Sequence, residues 1–148
     1  MTARPLTAGR TLMEVLIACG ILGLLTAIGI PSFSRIRAPY ARATATRQIA
    51  ADLQLARQRA IARNVRYRVN FNTSGGTYTI EADNAGNWVA ETAPQKLASG
   101  VALGTVTPTN PVFDTRGMLA ADVSVPVTVS GSGTKTVTTN VLGKTTVN

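Results

Sequence analysis

Two periodicities divide this chain. Val15 to Ser34 is a run of 20 uncharged, mostly aliphatic residues. A helix rises about 1.5 Å per residue, so such a run matches the roughly 30 Å hydrocarbon core of a bilayer and predicts a membrane-spanning helix. Residues 40–63 then read as an amphipathic helix: Ile49, Leu53, Ala56 and Ala60 recur at intervals of four, three and four, the spacing of one buried stripe. Arg47, Arg57, Arg59 and Arg63 fall mostly off that stripe, and Asn64 suits a left-handed helix cap. The joint around Pro31 to Pro39 is expected to bend the chain rather than unravel it.

Beyond Asn64 the period becomes two. Val65, Tyr67, Val69 and Phe71 share one face, with Arg66, Arg68 and Asn70 on the other. Asn72 to Gly76 reads as a turn and Tyr78, Ile80 and Ala82 resume the alternation, so residues 65–82 predict an antiparallel hairpin. Residues 83–87 read as a loop before Trp88, followed by short strands near 101–106, 111–114, 123–129 and 134–141 and an edge strand in the tail. A helix followed by short antiparallel strands gives an α+β domain. Four segments result: a leader at 1–9, an apolar helix at 10–34, an arginine-rich helix at 35–64 and a sheet region at 65–148.

Charge sharpens this division. Between Arg35 and Arg68 stand nine arginines and a single acid, Asp52, which accounts for the whole net charge of +8; basic and acidic residues balance elsewhere. The chain has no histidine, and Cys19, its only cysteine, lies in the apolar run. Ser–His and Cys–His nucleophiles and histidine metal sites are therefore excluded, and no enzyme activity, metal or cofactor is expected. Asp83, Asn84 and Asp114 carry oxygen donors, but their spacing matches no calcium loop and reads as turn chemistry.

Glu14 stands at the mouth of the apolar run, where a carboxylate is costly in lipid unless a partner neutralises it. Gly9-Arg10-Thr11-Leu12-Met13-Glu14 before the run resembles the processing site of type IV prepilins. The resemblance implies cleavage after Gly9 by a prepilin peptidase and N-methylation of Arg10. It implies pairing of Glu14 with the terminal amine of a neighbouring subunit during filament growth. Pro31 matches the proline that many pilins carry in this helix, while Arg10 stands where most members have Phe. An uncleaved signal anchor and a cleaved secretory signal peptide are the alternative readings of this end.

The segment from Leu53 to Asn64, the strand to Phe71, Gly76-Thr77-Tyr78, Trp88 and Phe113-Asp114-Thr115-Arg116-Gly117 resemble the GspH/FimT branch of pseudopilins and minor pilins. That resemblance implies a pilin-like fold, with a long N-terminal helix packed on a small antiparallel sheet. It implies a structural subunit of a type IV pilus or a type II secretion pseudopilus, held in the inner membrane with its C-terminal domain in the periplasm before assembly. Its partners would be other pilin subunits, the peptidase, the inner-membrane assembly platform and the bilayer. Some members of the branch bind DNA through a C-terminal Gly-Arg-x-Arg loop; here the matching place is Gly143-Lys144-Thr145-Thr146. A DNA-binding minor pilin, with Arg57, Arg59, Arg63 and Lys144 as candidate contacts for nucleic acid or a neighbouring subunit, is the first alternative. A membrane-anchored periplasmic domain that never polymerises is the second.

Overall fold

The computed structural model describes residues 11–148, and for residues 27–36 the backbone alone. The chain divides into two compact units, Met1–Ile36 and Arg37–Asn148. One helix, α1, runs from Leu12 to Arg63. Thr11 caps it, its hydroxyl accepting a hydrogen bond from the Glu14 backbone amide at 3.3 Å, and Glu14 lies in the first turn, where a carboxylate suits the positive end of the helix dipole. The helix continues through Pro31 and Pro39.

In the first unit the described apolar side chains have no protein cover. Leu12, Met13, Val15, Leu16, Ile17, Ile21, Leu22, Leu24 and Leu25 are all about half exposed or more. Among the described residues no helix is long and apolar enough to cross a membrane, and the uncharged run of the sequence continues past Thr26 into positions whose side chains are not described.

The second unit packs α1 against two antiparallel sheets. Ala45, Ile49, Leu53, Ala56 and Ala60 are buried, the stripe expected from the periodicity with Ala45 added one turn earlier. Asn64 ends the helix at φ 53°, a left-handed conformation that Asn tolerates better than most residues. Next come β1 (Tyr67–Asn72), β2 (Thr77–Asn84), β3 (Asn87–Ala90), β4 (Gln95–Lys96), β5 (Val101–Leu103), β6 (Val112–Phe113), β7 (Val123–Val129), β8 (Gly133–Thr139) and β9 (Thr145–Val147). The five-stranded sheet has the order β3-β2-β1-β6, with β4 also pairing with β2; the four-stranded sheet has the order β5-β7-β8-β9.

Alternation decides which face each strand buries. Tyr67, Val69 and Phe71 of β1 and Tyr78 and Ile80 of β2 turn inward, as do Val123, Val125, Val127 and Val129 of β7 and Val137 of β8. Together with the helix stripe, Phe113 and Leu119, most of these form one apolar cluster. The register of β1 on β2 pairs Val69 with Ile80 and Phe71 with Tyr78. Slipping it by one residue would turn Arg68 and Asn70 into the core, so the pattern specifies the pairing.

Several sequence readings are corrected here. Residues 83–87 are not a loop: β2 runs on to Asn84, and Ala85 and Gly86, with φ 52° and 91°, form a two-residue hairpin turn into β3. The Gly86 amide donates to Asp83, whose carboxylate sits below its ordinary pKa chiefly because Arg66 bonds to it. The strand expected at 101–106 stops at Leu103, and the one expected at 134–141 is β8, which ends at Thr139. The tail adds β9 to the sheet edge.

The Tyr78 hydroxyl donates to the Asp52 carboxylate. Burial, assisted by that carboxylate, pushes the Tyr78 pKa well above 10.0. A raised folded-state pKa in an acid means that the fold favours the neutral form. The contribution is therefore complete below pH about 10 and is lost as the unfolded phenol ionises above it. Tyr78→Phe should cost about 1–3 kcal/mol near neutrality, because Asp52 loses its partner, and should flatten the fall of stability above pH 10. Denaturant midpoints measured across pH read both effects. Leu53, with no exposed surface, has no way to relax into solvent. Leu53→Ala should cost about 2–5 kcal/mol by chemical denaturation, and a loss below 1 kcal/mol would show that the site collapses around the cavity.

Candidate functional site

Gly9 and Arg10 lie outside the described residues. Glu14 is exposed in the first turn of α1, three residues after the cap Thr11. Thr-x-x-Glu at a helix start is the pattern of a capping box, so the residue singled out for its charge also stands where it supports the local fold. Thr11-Leu12-Met13-Glu14 carries that capping signal in the sequence beside the charge. Glu14, Val15, Ala18 and Cys19 line one open recess on this part of the helix. Pro31 is within α1, at a position whose side chain is not described.

The arginine-rich segment does not form one surface. The buried stripe fixes the rotation of this part of α1, and the positions flanking it fall beside one sheet or the other. On the side of the five-stranded sheet, Glu91 at the end of β3 gathers Arg59, Arg63 and Tyr67. Arg63 bonds to one Glu91 oxygen, the Tyr67 hydroxyl donates to the same oxygen at 2.7 Å, and Arg59 reaches the other at 3.4 Å. Burial, and then this carboxylate, raise the Tyr67 pKa. Arg66 pairs with Asp83, and Arg68 with Glu81, which also accepts from Asn70 at 3.0 Å. The guanidinium of Arg68 lies 4.6 Å from the ring centre of half-exposed Trp88, and that of Arg66 lies 6.0 Å from it. Trp88 thus packs under cations on the outer face, whereas Phe113 is a core residue.

On the side of the four-stranded sheet the chemistry differs. Gln54 donates to the Gly143 carbonyl at 2.8 Å and to the Thr145 hydroxyl at 2.6 Å. Arg57 donates through Nε to the Gly117 carbonyl at 3.2 Å. Arg42 donates to the Ser132 carbonyl in the turn from β7 to β8. Gly143 has φ 76°, and a Cβ there would lie 2.5 Å from the Arg57 Nε, so the loop from β8 to β9 needs a glycine both for its backbone and for its close approach to the helix. Arg57 and Lys144 line the same cleft, and among the described residues neither has a carboxylate within ion-pair distance. Of the four cations proposed from sequence, the fold brings Arg57 and Lys144 together and commits Arg59 and Arg63 to Glu91.

Asp114 holds a turn. Its carboxylate accepts from the amides of Arg116 and Met118, and those bonds, the Met118 one foremost, keep its pKa low. Asp83 holds the turn from β2 to β3. Among the described residues no cluster of three or more acidic, histidine or cysteine side chains is placed to hold a metal ion.

The fold is shared with known proteins. Solved structures with the same fold include the minor pseudopilin EpsH of the type II secretion system of Vibrio cholerae, with a TM-score of 0.61 at 15% identity over 72% of this chain and 95% of that one. The type IV minor pilin FimU of Pseudomonas aeruginosa superimposes with a TM-score of 0.60 at 15% identity, over 78% of this chain and 90% of that one. No curated protein sequence matches the chain. The family described as Type II transport protein GspH matches residues 45–143, from the first buried alanine of α1 to the glycine under which Arg57 is packed. The chain therefore belongs to the GspH family.

Proposed function

We propose that this chain is a non-catalytic structural subunit, a minor pilin or pseudopilin, of a type IV pilus or a type II secretion pseudopilus. The observation that carries the reading is a helix start that presents Glu14 and a continuous series of uncovered apolar side chains, on a chain whose remaining unit is a GspH-family domain. Large apolar side chains left open in this way lose free energy until lipid or other helices cover them. In filament growth the cover is the equivalent helix of neighbouring subunits, and the driving force is burial of that surface.

In this reading a prepilin peptidase cuts after Gly9, Arg10 becomes the methylated terminus, and the apolar run holds the subunit in the inner membrane. The assembly platform then extracts it into the filament. Glu14 sets registry: a carboxylate and a terminal ammonium, each deprived of water between packed helices, offset part of each other's desolvation by pairing. Pro31 lets the helix adjust where the apolar run ends.

The capping pattern makes the test of Glu14 selective. Glu14→Gln keeps a residue able to support the cap and removes the charge, whereas Glu14→Val removes both. If charge pairing sets registry, both variants should be cleaved normally and both should fall at least about tenfold in sheared filaments, on the order of 1.4 kcal/mol per subunit. Incorporation of Glu14→Gln at the native level would reduce Glu14 to a capping role. The mass of the mature N-terminus should correspond to a chain beginning at methylated Arg10; a chain that retains Met1 in filament-forming cells would overturn the processing step.

A further inference from the structure

The acids of the second unit are unevenly placed. Glu81, Asp83 and Glu91 neutralise Arg59, Arg63, Arg66 and Arg68 beside the five-stranded sheet. On the other flank of α1 lies an open cleft of about 450 Å³, lined by Ala50, Ala51, Gln54 and Arg57 of the helix and by Gly143, Lys144 and Thr145. Other acids of this unit are already engaged: Asp52 by the Tyr78 hydroxyl, Asp114 by Arg116 and two backbone amides, Asp122 by the Val141 amide at 2.8 Å. The two cations of the cleft therefore keep their charge without a carboxylate partner among the described residues, Lys144 exposed and Arg57 half-buried with its Nε on the Gly117 carbonyl.

Beside this cleft the chain exposes apolar surface. Leu142 is 65% exposed, Val141 39% and Ile61 49%. They belong to one locality. Gly117 abuts both Ile61 and Arg57, a Cβ on Gly143 would meet Arg57 and the Gly117 carbonyl, and the Leu119 amide donates to the Val141 carbonyl at 2.9 Å. The loop is held in place before any partner arrives. Asn140 accepts from the Gly143 amide at 2.7 Å through its carbonyl and from the Lys144 amide at 2.8 Å through its side chain, and Gln54 ties Gly143 and Thr145 to the helix. A hydrogen-bonded apolar loop tip next to two cations and two small side chains combines what a contact site needs: apolar surface, charge beside it, and little ordering entropy left to lose.

We propose that this cleft and the loop tip beside it dock an acidic segment, carrying apolar side chains, of a different protein subunit. The proposal rests on the filament-subunit reading for the identity of the partner as a neighbour in the assembly. Charge selects a different protein over a second copy. The chain carries +8, and in a second copy Glu81, Asp83, Glu91 and Asp114 are ion-paired while Asp52 and Asp122 already accept hydrogen bonds from Tyr78 and the Val141 amide. Apolar exposure selects protein over nucleic acid. Two cations neutralise few phosphates, and the cleft and loop tip hold no aromatic side chain on which a base could stack.

The test uses the full-length chain in detergent and a labelled peptide of alternating Glu and Leu, with polyglutamate and duplex DNA compared at equal charge. The Glu-Leu peptide should bind more tightly than either competitor. Lys144→Glu and Leu142→Ser should each weaken it about tenfold without shifting the melting curve, since both side chains are exposed. Absence of peptide binding at low salt, or unchanged binding by Leu142→Ser, would overturn the proposal. So would tighter binding of DNA than of the peptide, or wild-type self-association that Lys144→Glu abolishes. The assay needs no filament, so its result stands apart from that of the Glu14 variants.

Discussion

Everything in the second unit depends on one dry seam, the stripe of Ala45, Ile49, Leu53, Ala56 and Ala60 laid against two sheets. Isolated helices gain little in water, and their stability in proteins comes mainly from packing one face. Ile49 and Leu53 have no exposed surface, and each such burial is worth roughly 1.5–3 kcal/mol. The three alanines add little volume to the seam, and Tyr67, Phe113 and Tyr78 supply the bulk that fills it. Because the stripe fixes the rotation of α1, it also decides where every other helix side chain points.

That rotation turns an arginine-rich segment into two unlike flanks. Arg59 and Arg63 fall beside β3 and meet Glu91; Asp52 falls beside β2 and meets Tyr78. Gln54 and Arg57 fall beside the loop from β8 to β9 and meet backbone carbonyls instead. Pairs with an open arginine, as at Arg63 and Arg66, contribute at most about 1 kcal/mol each, so the pairing at the five-stranded sheet bears chiefly on which cations keep an uncompensated charge. Among the described cations left without an ion pair, Arg57 and Lys144 lie together in one cleft beside Leu142.

The first unit follows another logic. Its apolar side chains face outward all round the described part of the helix, with no internal partner, and Glu14 stands at their start. Such a segment is made for a surrounding that the domain itself does not provide. The same residue serves two requirements there: a carboxylate in the first turn suits the helix end, and a carboxylate near apolar surface asks for a cation from elsewhere.

Much of this was legible from sequence because it rests on local periodicity. The stripe at Ile49, Leu53, Ala56 and Ala60, the left-handed Asn64, the inward faces of β1 and β2, the limits of β7 and the edge strand of the tail follow from spacings of 3.6 or 2 and from single-residue backbone preferences. The hairpin at Ala85-Gly86 was missed because alanine rarely adopts positive φ, and only the pairing of Asp83 with Trp88 and Asn84 with Asn87 compels it. The pairing of charges was not legible at all. Glu91 lies 28 residues from Arg63, and Arg57 lies 60 from Gly117, separations at which no pattern in the chain records proximity. The sequence by itself determined which surfaces are apolar and how many cations the chain carries. Only the tertiary structure decided which cations are neutralised, because that depends on which strand the helix rotation brings within reach of each carboxylate.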